Sequence, residues 1–173
     1  MSTLRSDAQR NLERVLEAAA QAFTERGPDA SIDEIARRAG VGHATVFRRF
    51  PTKDSLILAV LQERVRELEQ LAEAALARDD AGPAFTDFIW QVAEVQMNAR
   101  GLHQCFVQCE APDKARLEEM GTQIVERAQQ AGAVRDDLSP ADVTALVRAA
   151  LMSAPTDAWQ PYLRVVLDGL TRS

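Results

Sequence analysis

The chain reads as an all-α protein in two parts: an N-terminal three-helix head, joined by a long helix to a C-terminal helical domain. Three observations predict this. Apolar residues recur at steps of three and four along almost all of the 173 residues, while β-branched alternation is scarce. Capping residues, glycines and prolines cut that pattern into segments of helical length. One block, SIDEIARRAGVGHATVFRRFPTKD from Ser31 to Asp54, has the layout of two short helices around a glycine turn.

The elements follow in order. Leu12, Val15, Leu16, Ala19 and Phe23 define the inner face of a first helix ending near Gly27. Ser31 and Glu34 have the spacing of a capping box, in which each side chain satisfies an orphan amide at a helix start. Ile32, Ile35, Ala36 and Ala39 then form a narrow apolar stripe, and Gly40 sits where that helix must stop. The segment Gly42 to Phe50 makes the next helix, with Val46 and Phe50 inward and His43, Ala44, Thr45, Arg48 and Arg49 outward. From Thr52 a long amphipathic helix carries Leu56, Val60, Leu61, Val65, Leu68 and Leu71 on its inner face. Asp79 to Pro83 reads as a loop punctuated by Gly82-Pro83, and Phe85 to Asn98 as a fifth helix. A short helix over Leu102 to Glu110 follows, then one from Pro112 to about Gln130. Ser139-Pro140-Ala141-Asp142 opens an eighth helix through Met152, and Trp159 to Leu170 forms the last.

Two helices at a steep angle around a short turn are the DNA-binding helix-turn-helix, whose second helix enters the major groove. The net charge of −6 runs against DNA binding until it is divided. Residues 1–53 carry nine Lys/Arg against seven Asp/Glu, and residues 54–173 carry eleven against nineteen. Phosphate attraction depends on the local footprint, here Arg37, Arg38, Arg48, Arg49 and Lys53. Arginine can bond guanine in two places, and threonine offers a methyl to thymine or a hydroxyl to phosphate. Double-stranded DNA is therefore the expected partner. Its contacts are expected from Gly42, His43, Ala44, Thr45, Phe47, Arg48, Arg49 and Lys53.

The order of these residues closely resembles the N-terminal domain of the TetR family of bacterial transcription regulators. LERVLEAAAQAFTERG matches the family's alanine-rich first helix. Ser31 to Ala39 matches its capped second helix, and Ala39-Gly40-Val41 the turn. Phe47-Arg48-Arg49-Phe50 matches the end of its recognition helix, and Lys53 the lysine opening its fourth. The likeness covers about the first third of the chain. Two positions depart from the family pattern. Phe47 stands where a tyrosine is common and cannot donate to a phosphate, and Gly42 stands where a serine often caps the recognition helix. The resemblance implies a homodimeric repressor of an operator, relieved by a small hydrophobic effector held in the C-terminal helical domain. The resulting division is residues 1–53 for DNA binding and 54–173 for ligand binding and dimerisation. The competing reading is a helical small-molecule-binding protein or enzyme with a vestigial DNA-binding head.

The last two helices carry apolar faces: Val143, Leu146, Val147 and Ala150 on one, Leu163, Val166, Leu167 and Leu170 on the other. They suit either core or a dimer seam of two helices per subunit, and the resemblance favours the seam. Trp90, Met97, His103, Phe106, Cys109 and Met120 are the bulky, soft or polar groups expected at an effector pocket, and equally suit core. Cys105 and Cys109 share a helical face, yet the spacing matches no closed zinc pattern, so no metal or cofactor is expected. The sequence contains no GxSxG, P-loop, dinucleotide-binding or HExxH motif, and no catalytic residue is assigned. No uncharged apolar run reaches the length of a membrane helix, and the opening MSTLRSDAQRN lacks an apolar leader core, so a cytoplasmic protein is expected.

Overall fold

A computed structural model describes residues 2–98, 114–155 and 157–171, and every regular element among them is helical. The α-helices are α1 (Ser2–Arg26), α2 (Ile32–Ala39), α3 (His43–Arg49), α4 (Lys53–Leu76), α5 (Ala81–Asn98), α6 (Ala115–Gln130), α7 (Pro140–Ser153) and α8 (Gln160–Leu170). A 3-10 turn, Gly27–Asp29, follows α1. The helix expected over Leu102 to Glu110 lies outside the described residues, as do His103, Cys105, Phe106, Cys109 and Pro112. The described residues form two compact units, one of residues 2–64 with 98, the other of residues 65–97, 114–155 and 157–171.

The first unit has a core rich in alanine. Ala18, Ala19, Ala22 and Phe23 of α1 pack with Ile35, Ala36 and Ala39 of α2, Val46 of α3 and Leu56, Ile57, Val60 and Leu61 of α4. Side chains as small as alanine let helices approach closely and spend no rotamer entropy on burial. Phe23 supplies bulk at the centre and is fully buried. The first turns of α4 thus belong to this core, and the units divide within that helix between Arg64 and Val65.

The second unit is built more heavily. Phe85, Phe88, Ile89 and Met97 of α5 meet Met120, Ile124 and Val125 of α6, Val143, Val147 and Leu151 of α7, and Leu163, Leu167 and Leu170 of α8. Arg127 of α6 forks across the end of α4, donating through Nη1 to the Leu76 carbonyl and through Nη2 to that of Arg78, each at 2.6 Å. These carbonyls have no partner within a helix that has ended, and a guanidinium can satisfy two at once. An isolated antiparallel bridge joins Val134 to Thr171.

The starts of two helices bear on the sequence reading. At α7 the capping box is complete: Ser139 Oγ accepts from the Asp142 amide at 3.2 Å, and the Asp142 carboxylate accepts from the Ser139 amide at 3.0 Å. At α5 the expected loop is shorter than the sequence suggested. The helix begins at Ala81, so Gly82 and Pro83 form its first turn, where an amide hydrogen is not needed. A Cβ at Gly82 would lie 2.7 Å from the Ala133 Cβ, so glycine is what lets this turn approach the loop after α6.

Candidate nucleic-acid interface

The turn between α2 and α3 follows from three residues. Ser31 has extended backbone, and its Oγ accepts the Glu34 amide at 3.2 Å, which starts α2. Gly40 closes the helix at φ 65°, ψ 34°, a left-handed conformation that costs an L-residue about 1–2 kcal/mol. The Val41 amide then reaches back to the Ala36 carbonyl at 3.0 Å. Gly42, extended at φ −70°, ψ 144°, stands as N-cap of α3 without a side-chain oxygen to offer. Thr52 and Ser55 exchange side-chain-to-amide hydrogen bonds of 3.1 and 3.3 Å at the start of α4, placing Lys53 at its first residue.

Val46 and Phe50 are buried and fix the inner side of α3. Gly42, His43, Ala44, Phe47, Arg48 and Arg49 are exposed, Thr45 is half-buried, and Lys53 is partly exposed. The eight positions expected from sequence thus form an accessible run along α3 and the start of α4. His43 Nε2 lies 3.5 Å from Asp33 Oδ1 of α2, an ion pair only when the imidazole is protonated. The His43 ring also stacks against Phe47, with centroids 6.1 Å apart and planes at 21°.

Glu34 departs from the expected capping box. Its carboxylate does not return to the Ser31 amide. It accepts from Arg38 at 2.6 Å and pairs with Arg26 at 3.2 Å. Charge-assisted bonds from two guanidinium groups outcompete a neutral amide. Arg38 also donates to Glu25 of α1 at 2.7 Å, and this bond holds the Glu25 carboxyl below its ordinary range. Arg38 is therefore spent on joining α2 to α1, a role its place in the run of basic residues did not reveal. An acid four residues earlier on the same helix, Glu34, was the available signal.

The remaining expected sites that fall among the described residues lie in the second unit. Met97 and Met120 are core residues, and Trp90 is half-buried with its ring 5.5 Å from that of Trp159. Trp90 borders an open cleft of about 400 Å3, lined also by Thr86, Arg164, Leu167, Asp168 and Thr171. His103, Phe106 and Cys109, also expected at a pocket, lie outside the described residues. Of the expected seam, Val143, Val147, Leu163, Leu167 and Leu170 are buried within the single chain. Within one protomer these five are covered by neighbouring helices. Outward on α7 and α8 stand Leu146, Met152, Tyr162 and Val165, with Ala150 and Val166 half-buried beside them. Among the described residues no group of three His, Cys, Asp or Glu could hold a metal, and no helix is long and apolar enough to cross a membrane.

Comparison with known proteins matches both parts of the chain. Residues 15–60 fit the family model of the bacterial regulatory proteins of the TetR family. Residues 80–172 fit the C-terminal domain of SbtR-like transcriptional regulators. An HTH-type transcriptional repressor of Mycobacterium tuberculosis is 46% identical over 66 residues, 38% of this chain and 35% of that protein. The chain thus matches about a third of the length of the curated relatives. The solved TetR transcription regulatory protein of Mycobacterium vanbaalenii is 36% identical with a TM-score of 0.80, over 98% of this chain and 99% of that one. A TetR transcriptional regulator of Streptomyces coelicolor is 28% identical with a TM-score of 0.76, over 93% and 98%. With a C-terminal match over more than half its length and a likeness to a solved regulator from end to end, the chain belongs to the TetR family of bacterial transcription regulators.

Proposed function

We propose that the protein is a cytoplasmic, sequence-specific DNA-binding repressor that acts as a homodimer. One observation carries this: α3 is anchored by Val46 and Phe50 and turns His43, Ala44, Thr45, Phe47, Arg48 and Arg49 away from the core. Residues 1–53 do the reading, and residues 54–173 hold the dimer and the effector. Two copies of α3 set about 34–36 Å apart would read successive major grooves of a pseudo-palindromic operator. The exposed or half-buried apolar groups of α7 and α8, namely Leu146, Ala150 and Val166 with Tyr162 and Val165, would form the seam.

The roles on α3 and at the start of α4 separate experimentally. Arg48→Ala is expected to weaken operator binding by about 1–3 kcal/mol and to relax preference at one position per half-site. Lys53→Ala is expected to weaken all sequences alike and to flatten the dependence on salt. Titrations at two salt concentrations check both. Wild-type binding by both variants would move the DNA face elsewhere.

The effector is proposed to be a small hydrophobic molecule held in the second unit. The cleft beside Trp90 supports this, since Leu167 and the indole give apolar wall while Arg164 and Asp168 give polar ends. An inducer should stabilise the fold by about 2.7 kcal/mol at a hundredfold excess over Kd, and operator DNA should weaken its binding as much as it weakens that of DNA. A thermal-shift screen followed by DNA-release assays tests this. Stabilising compounds that never release DNA would argue for regulation without an effector.

A further inference from the structure

Phe47 is 55% exposed on the outward side of α3, an uncommon place for a large apolar ring. Two neighbours on the same helix, Val46 and Phe50, already occupy the inward positions, so the core has no room assigned to it. Its ring rests on His43 one turn earlier, which limits the directions it can take and keeps it facing out. Arg48 and Arg49 follow it directly and are exposed, and α3 contains no acidic residue. A helix that exposes an apolar ring together with two cations suits a surface that is anionic at its edges and offers an isolated apolar group between them. The major groove of DNA has that character: phosphates line it, and the 5-methyl of thymine is its apolar feature.

We infer that Phe47 reads thymine through its 5-methyl group, with His43 as the positioning residue that holds the ring toward the base edge. The inference deepens the DNA-binding reading and rests on it. It assigns to Phe47 a specificity role that needs no hydrogen bond. The operator should therefore contain a thymine in each half-site whose contribution vanishes when the methyl is removed.

Full-length protein would be used to select duplexes from a randomised library, and each thymine of the selected sequence would then be replaced singly by deoxyuridine. This exchange deletes one methyl and leaves base pairing intact. Wild-type affinity is expected to fall about fourfold at one thymine per half-site, the fold-change of one buried carbon, with little change elsewhere. In Phe47→Ala the same exchange is expected to change affinity by less than about twofold, which couples the ring to the methyl. The scan on the wild-type protein requires no variant, and melting temperature verifies that Phe47→Ala stays folded. A flat scan on a tightly bound duplex would overturn the role of Phe47 while leaving DNA binding intact. A sensitive thymine that remains sensitive in Phe47→Ala would assign the methyl to another residue and overturn it equally. Failure to enrich any duplex would sink the DNA-binding reading, and this inference with it.

Discussion

A glutamate at Leu146 or Val165 is expected to yield monomers and to lower operator affinity by about a hundredfold to ten-thousandfold, the factor lost when two linked reading units become independent. Within one chain the substitution should be nearly neutral, because Leu146 is 44% and Val165 72% exposed. Across an apolar seam the same carboxylate would be buried without a partner, which is strongly unfavourable. Val147→Glu is the informative contrast. That position is only 6% exposed in the protomer, so a charge there should unfold the second unit instead of dissociating folded chains. Sedimentation velocity and circular dichroism distinguish the two results. Should Leu146→Glu and Val165→Glu both remain dimeric with wild-type affinity, the seam lies on another face.

The second large effect is expected in the first unit. Phe23→Ala should destabilise it by about 5 kcal/mol, the top of the range for removing a buried aromatic ring. The cost of such a cavity depends on whether neighbours can fill it. Here many neighbours are alanines, whose side chains have no freedom to swing inward. Urea unfolding followed by far-ultraviolet circular dichroism is the suitable measurement, since Trp90 and Trp159 both belong to the second unit. A loss below about 2 kcal/mol would mean that the helices close over the gap.

The helix-turn-helix was legible because its determinants are local. Ser31 at a helix start, Gly40 at a left-handed stop and the inward pair Val46 and Phe50 act within one or two turns of themselves. What covers the faces of α7 and α8 was not legible, for the complementary reason. Periodicity reveals that Val143 and Val147 share a face, but not whether that face is covered by the same chain or by another. The exposed side of α7 carries Ala145, Leu146, Ala149 and Met152, of which only Leu146 belongs to the apolar face read from the sequence. Glu34 illustrates a third limit. Its spacing from Ser31 predicted a capping bond, and only the fold brings Arg26 within reach to compete for it. At α5, Gly82-Pro83 resembled a loop since proline and glycine punctuate both loops and the first turn of a helix.

Gly82 and Ala133 carry a consequence for how this sequence can drift. Their closeness constrains the combined size of two positions more than the identity of either. Alanine at 82 alone would force the first turn of α5 from the loop, while alanine at 82 with glycine at 133 would keep the total volume and the spacing. Among close relatives the two sites should therefore change together, each enlargement matched by a reduction opposite. A descendant with a larger residue at one site and no compensation at the other would have had to rebuild the start of α5.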